Sequence, residues 1–192
     1  LVLLVTNRAG YAHLCRLINR ERRHADKGSY RLQRAVLEDA LPDCLALLPT
    51  DQDDVEDAAA WLATTFAGRA WLAVELLRDG YDIQRLRCSE RLAQVHRLPR
   101  LASGDVHMHV RGRRALQDVL TAVRLNTPVA ALGHARLSNG ERHLRPAGAQ
   151  NRPAGPGALG HEDAQVAAHA QRQHLMTQVL QRDHDVVSVF QG

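Results

Sequence analysis

The segment Gly104-Asp-Val-His-Met-His109 holds the side chains whose types and spacing best suit chemistry. In extended chain, residues two apart share a face, so Asp105 and His107 point the same way, and His109 joins them if the extension continues. A carboxylate and an imidazole together at a strand end make half of a metal site. At pH 7 the carboxylate is ionised and the imidazole neutral, the forms that ligate. The same two residues also read as a helix N-cap aspartate followed by a polar loop histidine. Spacing alone leaves both readings open.

Other chemically capable residues have plainer readings. Glu75 lies near a strand end and reads as a carboxylate paired with an arginine. Arg111, Arg113 and Arg114 are able to meet phosphates, but such a cluster at a helix start reads first as a solvated face. Trp61 and Trp71 read as core. His161, His169, His174 and His184 follow no zinc spacing. Cys15, Cys44 and Cys88 are odd in number and contain no CxxC pair, the mark of reduced thiols rather than a disulfide framework.

The elements that must position these residues read as alternating strands and helices. Leu1 to Thr6 is a continuous apolar run, as in a buried strand. Asn7 to Gly10 reads as a turn. Tyr11, Leu14, Cys15 and Ile18 then form one face of a helix. Cys44 to Leu48 is a second strand. Asp51, Asp53 and Asp54 crowd the next helix start, and Val55, Ala58, Ala59, Leu62 and Phe66 are its inner face. Ala70 to Leu77 is a third strand, followed by a helix over 82–96 with Ile83, Leu86, Leu92 and Val95 inward. Leu98 to Ser103 is a fourth strand. The next helix covers 113–125, with Leu116, Val119, Leu120 and Val123 inward. This order predicts α/β architecture with parallel strands near 1–6, 44–48, 70–76 and 99–103. No strand is followed by GxGxxG or GxxxxGK[ST], which speaks against a Rossmann or P-loop domain.

Composition sets the outer bounds. The 192 residues are 45% apolar and 24% charged, as in ordinary globular proteins, and exclude a collagen, a coiled-coil rod or a fully disordered chain. No apolar run approaches the length of a membrane span. The net charge of +4 permits a nucleic-acid partner without arguing for one. Character changes after Arg145. Residues 146–192 open on PAGAQNRPAGPGALG and continue rich in Gln, His and Ala. They read as a low-complexity tail, disordered or weakly helical, outside the fold. A first residue that is not Met suggests a fragment.

Several motifs in order carry a family resemblance. Leu1-Val-Leu-Leu-Val-Thr-Asn-Arg-Ala-Gly-Tyr-Ala-His-Leu-Cys-Arg-Leu-Ile18 resembles a segment of bacterial C-family DNA polymerase alpha subunits. Lys27-Gly-Ser-Tyr-Arg-Leu32 and Gly104-Asp-Val-His-Met-His-Val-Arg111 resemble the error-prone branch of that family. So do Arg114-Ala-Leu-Gln-Asp-Val-Leu-Thr-Ala-Val-Arg124 and Asn139-Gly-Glu-Arg-His-Leu-Arg145. The similarity spans residues 1–145.

The resemblance implies that residues 1–145 are the C-terminal part of a polymerase-and-histidinol-phosphatase (PHP) domain, an irregular (β/α) barrel of which only part is present. It implies divalent metal ions (Zn, Mn or Mg) at the strand C-terminal ends, with Asp105 and His107 matching the family's late Asp-x-His ligands. The family's earlier ligands would lie before Leu1. A cysteine common in replicative members is replaced by Pro49-Thr50-Asp51, and Cys44 does not take its place. The implied function is damage-tolerant DNA synthesis, with DNA and deoxynucleotides as partners of the full-length cytoplasmic enzyme, other replication or translesion proteins beside them, and no membrane. The polymerase carboxylates lie beyond this chain. The alternatives are a stand-alone PHP-type phosphoesterase and a non-catalytic scaffold.

Overall fold

The structure is a computed structural model that describes residues 1–25, 32–38, 41–52 and 54–145. The tail from 146, its histidines, Asp53 and most of the Lys27–Leu32 motif lie outside the described residues. In chain order the elements are β1 (Val2–Val5), α1 (Arg8–Arg23), α2 (Arg34–Glu38), β2 (Cys44–Pro49), α3 (Val55–Thr65), β3 (Ala70–Glu75), α4 (Asp82–His96), β4 (Arg100–Ser103) and α5 (Arg114–Arg124). Short 3-10 turns cover Arg111–Arg113, Val129–Ala131 and Gly133–Ala135.

The strands form one sheet in the order β1-β2-β3-β4. β2, β3 and β4 are parallel, as expected for strands joined by the single helices α3 and α4. β1 departs from the expected parallel arrangement: it runs antiparallel to β2, with Val2 opposite Leu47 and Val5 opposite Cys44. The cause is the connection. A single crossover helix returns the chain to the opposite end of the sheet, whereas here α1 and the segment through α2 bring it back to the end it left. Thr6 donates its amide and its hydroxyl to the Asp43 carbonyl, each at 2.9 Å, and Asn7 Nδ2 donates to Asp43 Oδ1 at 2.9 Å. β2 therefore starts beside the end of β1. Gly10 permits this approach, because a Cβ there would lie 2.5 Å from the Asp43 carbonyl oxygen.

Asn7 is not in a turn but caps α1, its side chain accepting from the Gly10 amide at 2.9 Å. The expected inner face of α1 is also rotated. Gly10, Leu17 and Glu21 are its buried residues, and Tyr11 is exposed. α3 follows its pattern: Val55, Ala58, Ala59 and Leu62 are buried, with Phe66 just past its end.

The sheet has two apolar faces. On one, Cys44, Ala46, Leu48, Ala70 and Leu72 pack with Leu17 of α1, Leu37 of α2, Leu92 of α4 and the α3 residues. On the other, Leu4, Leu47, Ala73 and Leu101 form a second cluster with Val2, Leu45 and Trp71 against it, all from strands. Trp61 packs against the first cluster and meets the Phe66 ring edge-on at 6.0 Å. Both tryptophans thus serve the core. Arg69 clamps the start of β2, its Nη1 donating to the carbonyls of Leu41, Pro42 and Cys44. All three cysteines are free thiols, and burial raises the pKa of Cys44.

Candidate functional site at the strand ends

Parallel pairing sets the C-terminal ends of β2, β3 and β4 side by side, with Glu75 of β3 opposite Ser103 of β4. Just beyond Ser103 the chain turns at Asp105, whose φ of 38° lies in the left-handed region. Aspartate enters that region more readily than most non-glycine residues. The backbone is therefore not extended at this point, yet sidedness alternates beyond it. Val106 and Met108 are buried, His109 is exposed, and the His107 side chain is only about one-third exposed (35%). Asp105 caps no helix, since the next helical turn begins at Arg111.

The structure brings Asp105 and His107 together. His107 Nε2 lies 3.1 Å from Asp105 Oδ2. This hydrogen bond places the ring proton on Nε2. Burial lowers the His107 pKa, and the negative charge of Glu75 opposes that shift. His109 is exposed beside them.

Arg142 completes the group, and the sequence reading missed it. The segment 142–144 runs alongside 107–108. The amides of His107 and Met108 donate to the Arg142 carbonyl at 2.9 and 3.1 Å, and the Leu144 amide donates to the Met108 carbonyl at 3.0 Å. This short ladder carries the Arg142 guanidinium onto Asp105 Oδ2 and to 3.8 Å from Glu75 Oε2. Glu75 is thus the strand-end carboxylate paired with an arginine that its position suggested. Burial raises its pKa, with Asp51 reinforcing and Arg142 opposing the shift. Arg142 belongs to a motif that resembled a family, but no spacing rule tied it to Asp105 across so long a stretch of chain.

Nearby residues fix the frame. Thr50, just past the end of β2, has a buried hydroxyl with no hydrogen-bond partner among the described residues. Arg85 forms a bidentate pair with Asp79, at 2.7 and 2.6 Å, which holds the Asp79 carboxyl down at about 2. Arg111 does not simply face solvent: it reaches Glu141 Oε1 at 2.7 Å, and Arg145 reaches Glu141 Oε2 at 3.1 Å. Arg114 turns inward and donates to the Leu137 carbonyl at 2.7 Å.

Carboxylate oxygen and imidazole nitrogen are suitable donors for a divalent ion. An ion taking Asp105 Oδ2 and His107 Nε2 would replace the hydrogen bond between them and compete with Arg142. Among the described residues, no group of three or more His, Cys, Asp or Glu is placed to hold a metal ion. The pair fits a metal chemically but makes only part of a coordination sphere.

The motif resemblance is borne out by comparison with known proteins. The chain is 55% identical over 146 residues to the error-prone DNA polymerase of Pseudomonas paraeruginosa. It is 54% identical over 151 residues to that of an Azoarcus species, and 47% identical over 150 residues to that of Dechloromonas aromatica. Each match takes in 76% of this chain. The chain spans only 14% to 15% of the length of these relatives. No family model matches it. No described helix is long and apolar enough to cross a membrane.

Proposed function

We propose that this chain is a segment of an error-prone DNA polymerase, a nucleotidyltransferase acting in damage-tolerant DNA synthesis and repair. The identity of 47% to 55% to relatives of that name carries the reading. In this reading DNA and deoxynucleotides are partners of the full-length cytoplasmic protein, alongside replication or translesion proteins. The segment itself is the later part of a PHP domain. The sheet supports that assignment: α1 to α4 all contribute to one cluster, while the opposite cluster is built from strands alone, as on the inner wall of a partial barrel.

Within it, Asp105 and His107 are proposed as two ligands of a divalent ion (Zn, Mn or Mg), with further donors from polypeptide outside this chain. A bound ion would polarise a phosphoester and activate water. This chain's own residues do the positioning. The turn at Asp105 presents the carboxylate, burial favours the neutral ring of His107, whose proton would move to Nδ1 if Nε2 took the ion, and Arg142 fixes Asp105 against the strand end. The guanidinium on Asp105 is the observation that favours the scaffold alternative, because it neutralises the carboxylate without a metal.

A full-length chimera tests both levels. In it, residues 1–145 replace the matched segment of the Pseudomonas paraeruginosa relative. The chimera should extend a primed DNA template. D105A and H107A should each lower its metal content by about one ion per chain. A folded chimera without primer extension refutes the polymerase reading. Unchanged metal content refutes the ligand assignment and leaves the scaffold.

Residues 146–192 are proposed to lie outside the fold and to arise from a shifted reading frame. Translation of the other frames after the Arg145 codon should resume polymerase-like sequence. If neither does, the tail is native.

A further inference from the structure

The apolar stripe of α5 faces outward. Leu116, Val119 and Leu120 are 48%, 46% and 48% exposed, and Val123 is 73% exposed. The helix is held by its other face, where Asp118 is buried and accepts from Arg136 at 3.0 and 3.2 Å. Four large aliphatic side chains at i, i+3, i+4 and i+7 form a seam suited to a second apolar surface. The charge around the seam selects the partner. Between residues 106 and 140 there are five arginines and one acid, the buried Asp118. Arg113 and Arg124 are exposed along the margins with no carboxylate of this segment to offset them, whereas Arg111 is held by Glu141 just beyond it. A second copy would bring like charges together. A nucleic-acid backbone would match the arginines but leave the aliphatic seam in water.

We propose that α5 docks onto an apolar protein surface bordered by Asp and Glu, in the part of the full-length polypeptide that this chain lacks. The proposal rests on the polymerase-segment reading, in which the relatives extend far beyond the matched residues. The seam is then an intrachain domain interface. Its energy comes from burying the four aliphatic side chains, and its orientation from the arginine margins.

The test uses the 192-residue chain and the full-length chimera, each with and without V123E. Amides of α5 should exchange at least about tenfold more slowly in the chimera than in the isolated chain. V123E should abolish that extra protection and lower the melting temperature of the chimera, while leaving melting of the isolated chain unchanged. Equal exchange in both contexts overturns the proposal, as does an equal effect of V123E in both. Dimerisation of the isolated chain that V123E abolishes assigns the seam to a second copy and also overturns it. So does V123E-sensitive binding to phosphatidylglycerol vesicles, which would make it a membrane contact. A chimera that does not fold overturns the polymerase-segment reading and this proposal together. A folded, primer-extending chimera with an unprotected α5 overturns the proposal alone.

Discussion

α3 and α5 carry the same kind of apolar repeat and put it to opposite uses. α3 lies on the sheet and buries Val55, Ala58, Ala59 and Leu62 against it. α5 packs chiefly against the neighbouring 3-10 turns and buries Asp118, Thr121 and Ala122 instead. Its leucines and valines are left outside. Periodicity shows that a helix has an apolar face. Whether this chain covers that face depends on what lies next to the helix. For α5 a buried carboxylate decides: Asp118 needs Arg136, and meeting it turns the stripe outward.

The largest expected effect is in the covered half. Leu62 is fully buried, and Leu62→Ala should cost about 2–5 kcal/mol in a urea melt. Parity with a surface substitution would break the contrast at its stronger end.

Arg85→Ala should cost about 1.5–3 kcal/mol, because two charge-assisted bonds to Asp79 are lost. Its pH dependence is specific. The folded pKa of Asp79 is depressed from 3.8 to about 2, so the pair's contribution is present above 3.8 and lost as pH falls toward 2. Acid unfolding curves of wild type and variant should converge over that window. Curves that stay parallel would assign the pair no such role.

Gly10→Ala tests the contact that sets the direction of β1. With the Asp43 carbonyl 2.5 Å from the new Cβ, backbone must shift, at about 1–3 kcal/mol. A neutral outcome in thermal melts would mean that α1 does not constrain the start of β2.

The smallest effect completes the comparison. Leu120→Ala on the exposed seam should change the stability of the isolated chain by no more than about 0.5 kcal/mol. A cost near that of Leu62→Ala would show that the chain itself covers α5.

Much of the frame was legible in the residues. The apolar runs at 44–48 and 70–76 gave strands, and the acids before Val55 marked a helix start, because strand burial and the helix dipole act through local sequence. α4 was legible in extent but only in part in facing. Leu92, expected inward, is buried, but Ile83 and Val95, also expected inward, are exposed, and Ser89 is buried in their place. Its apolar residues are scattered around the helix, so they fix no side. The turn read at Asn7 is in fact a cap because its side chain reaches the Gly10 amide.

By itself the sequence determined the kind of each element, the resemblance of residues 1–145 to error-prone polymerases, and Asp105 and His107 as the pair worth watching. Those follow from local propensity and from ordered motifs. Only the tertiary structure decided that β1 runs antiparallel, that Arg142 sits on Asp105, and that α5 turns its leucines to solvent. Each of these depends on a contact between residues far apart in the chain: Thr6 with Asp43, Arg142 with Asp105, Arg136 with Asp118. Such contacts are chosen by packing and by the pairing of buried charge, which no short window of sequence contains.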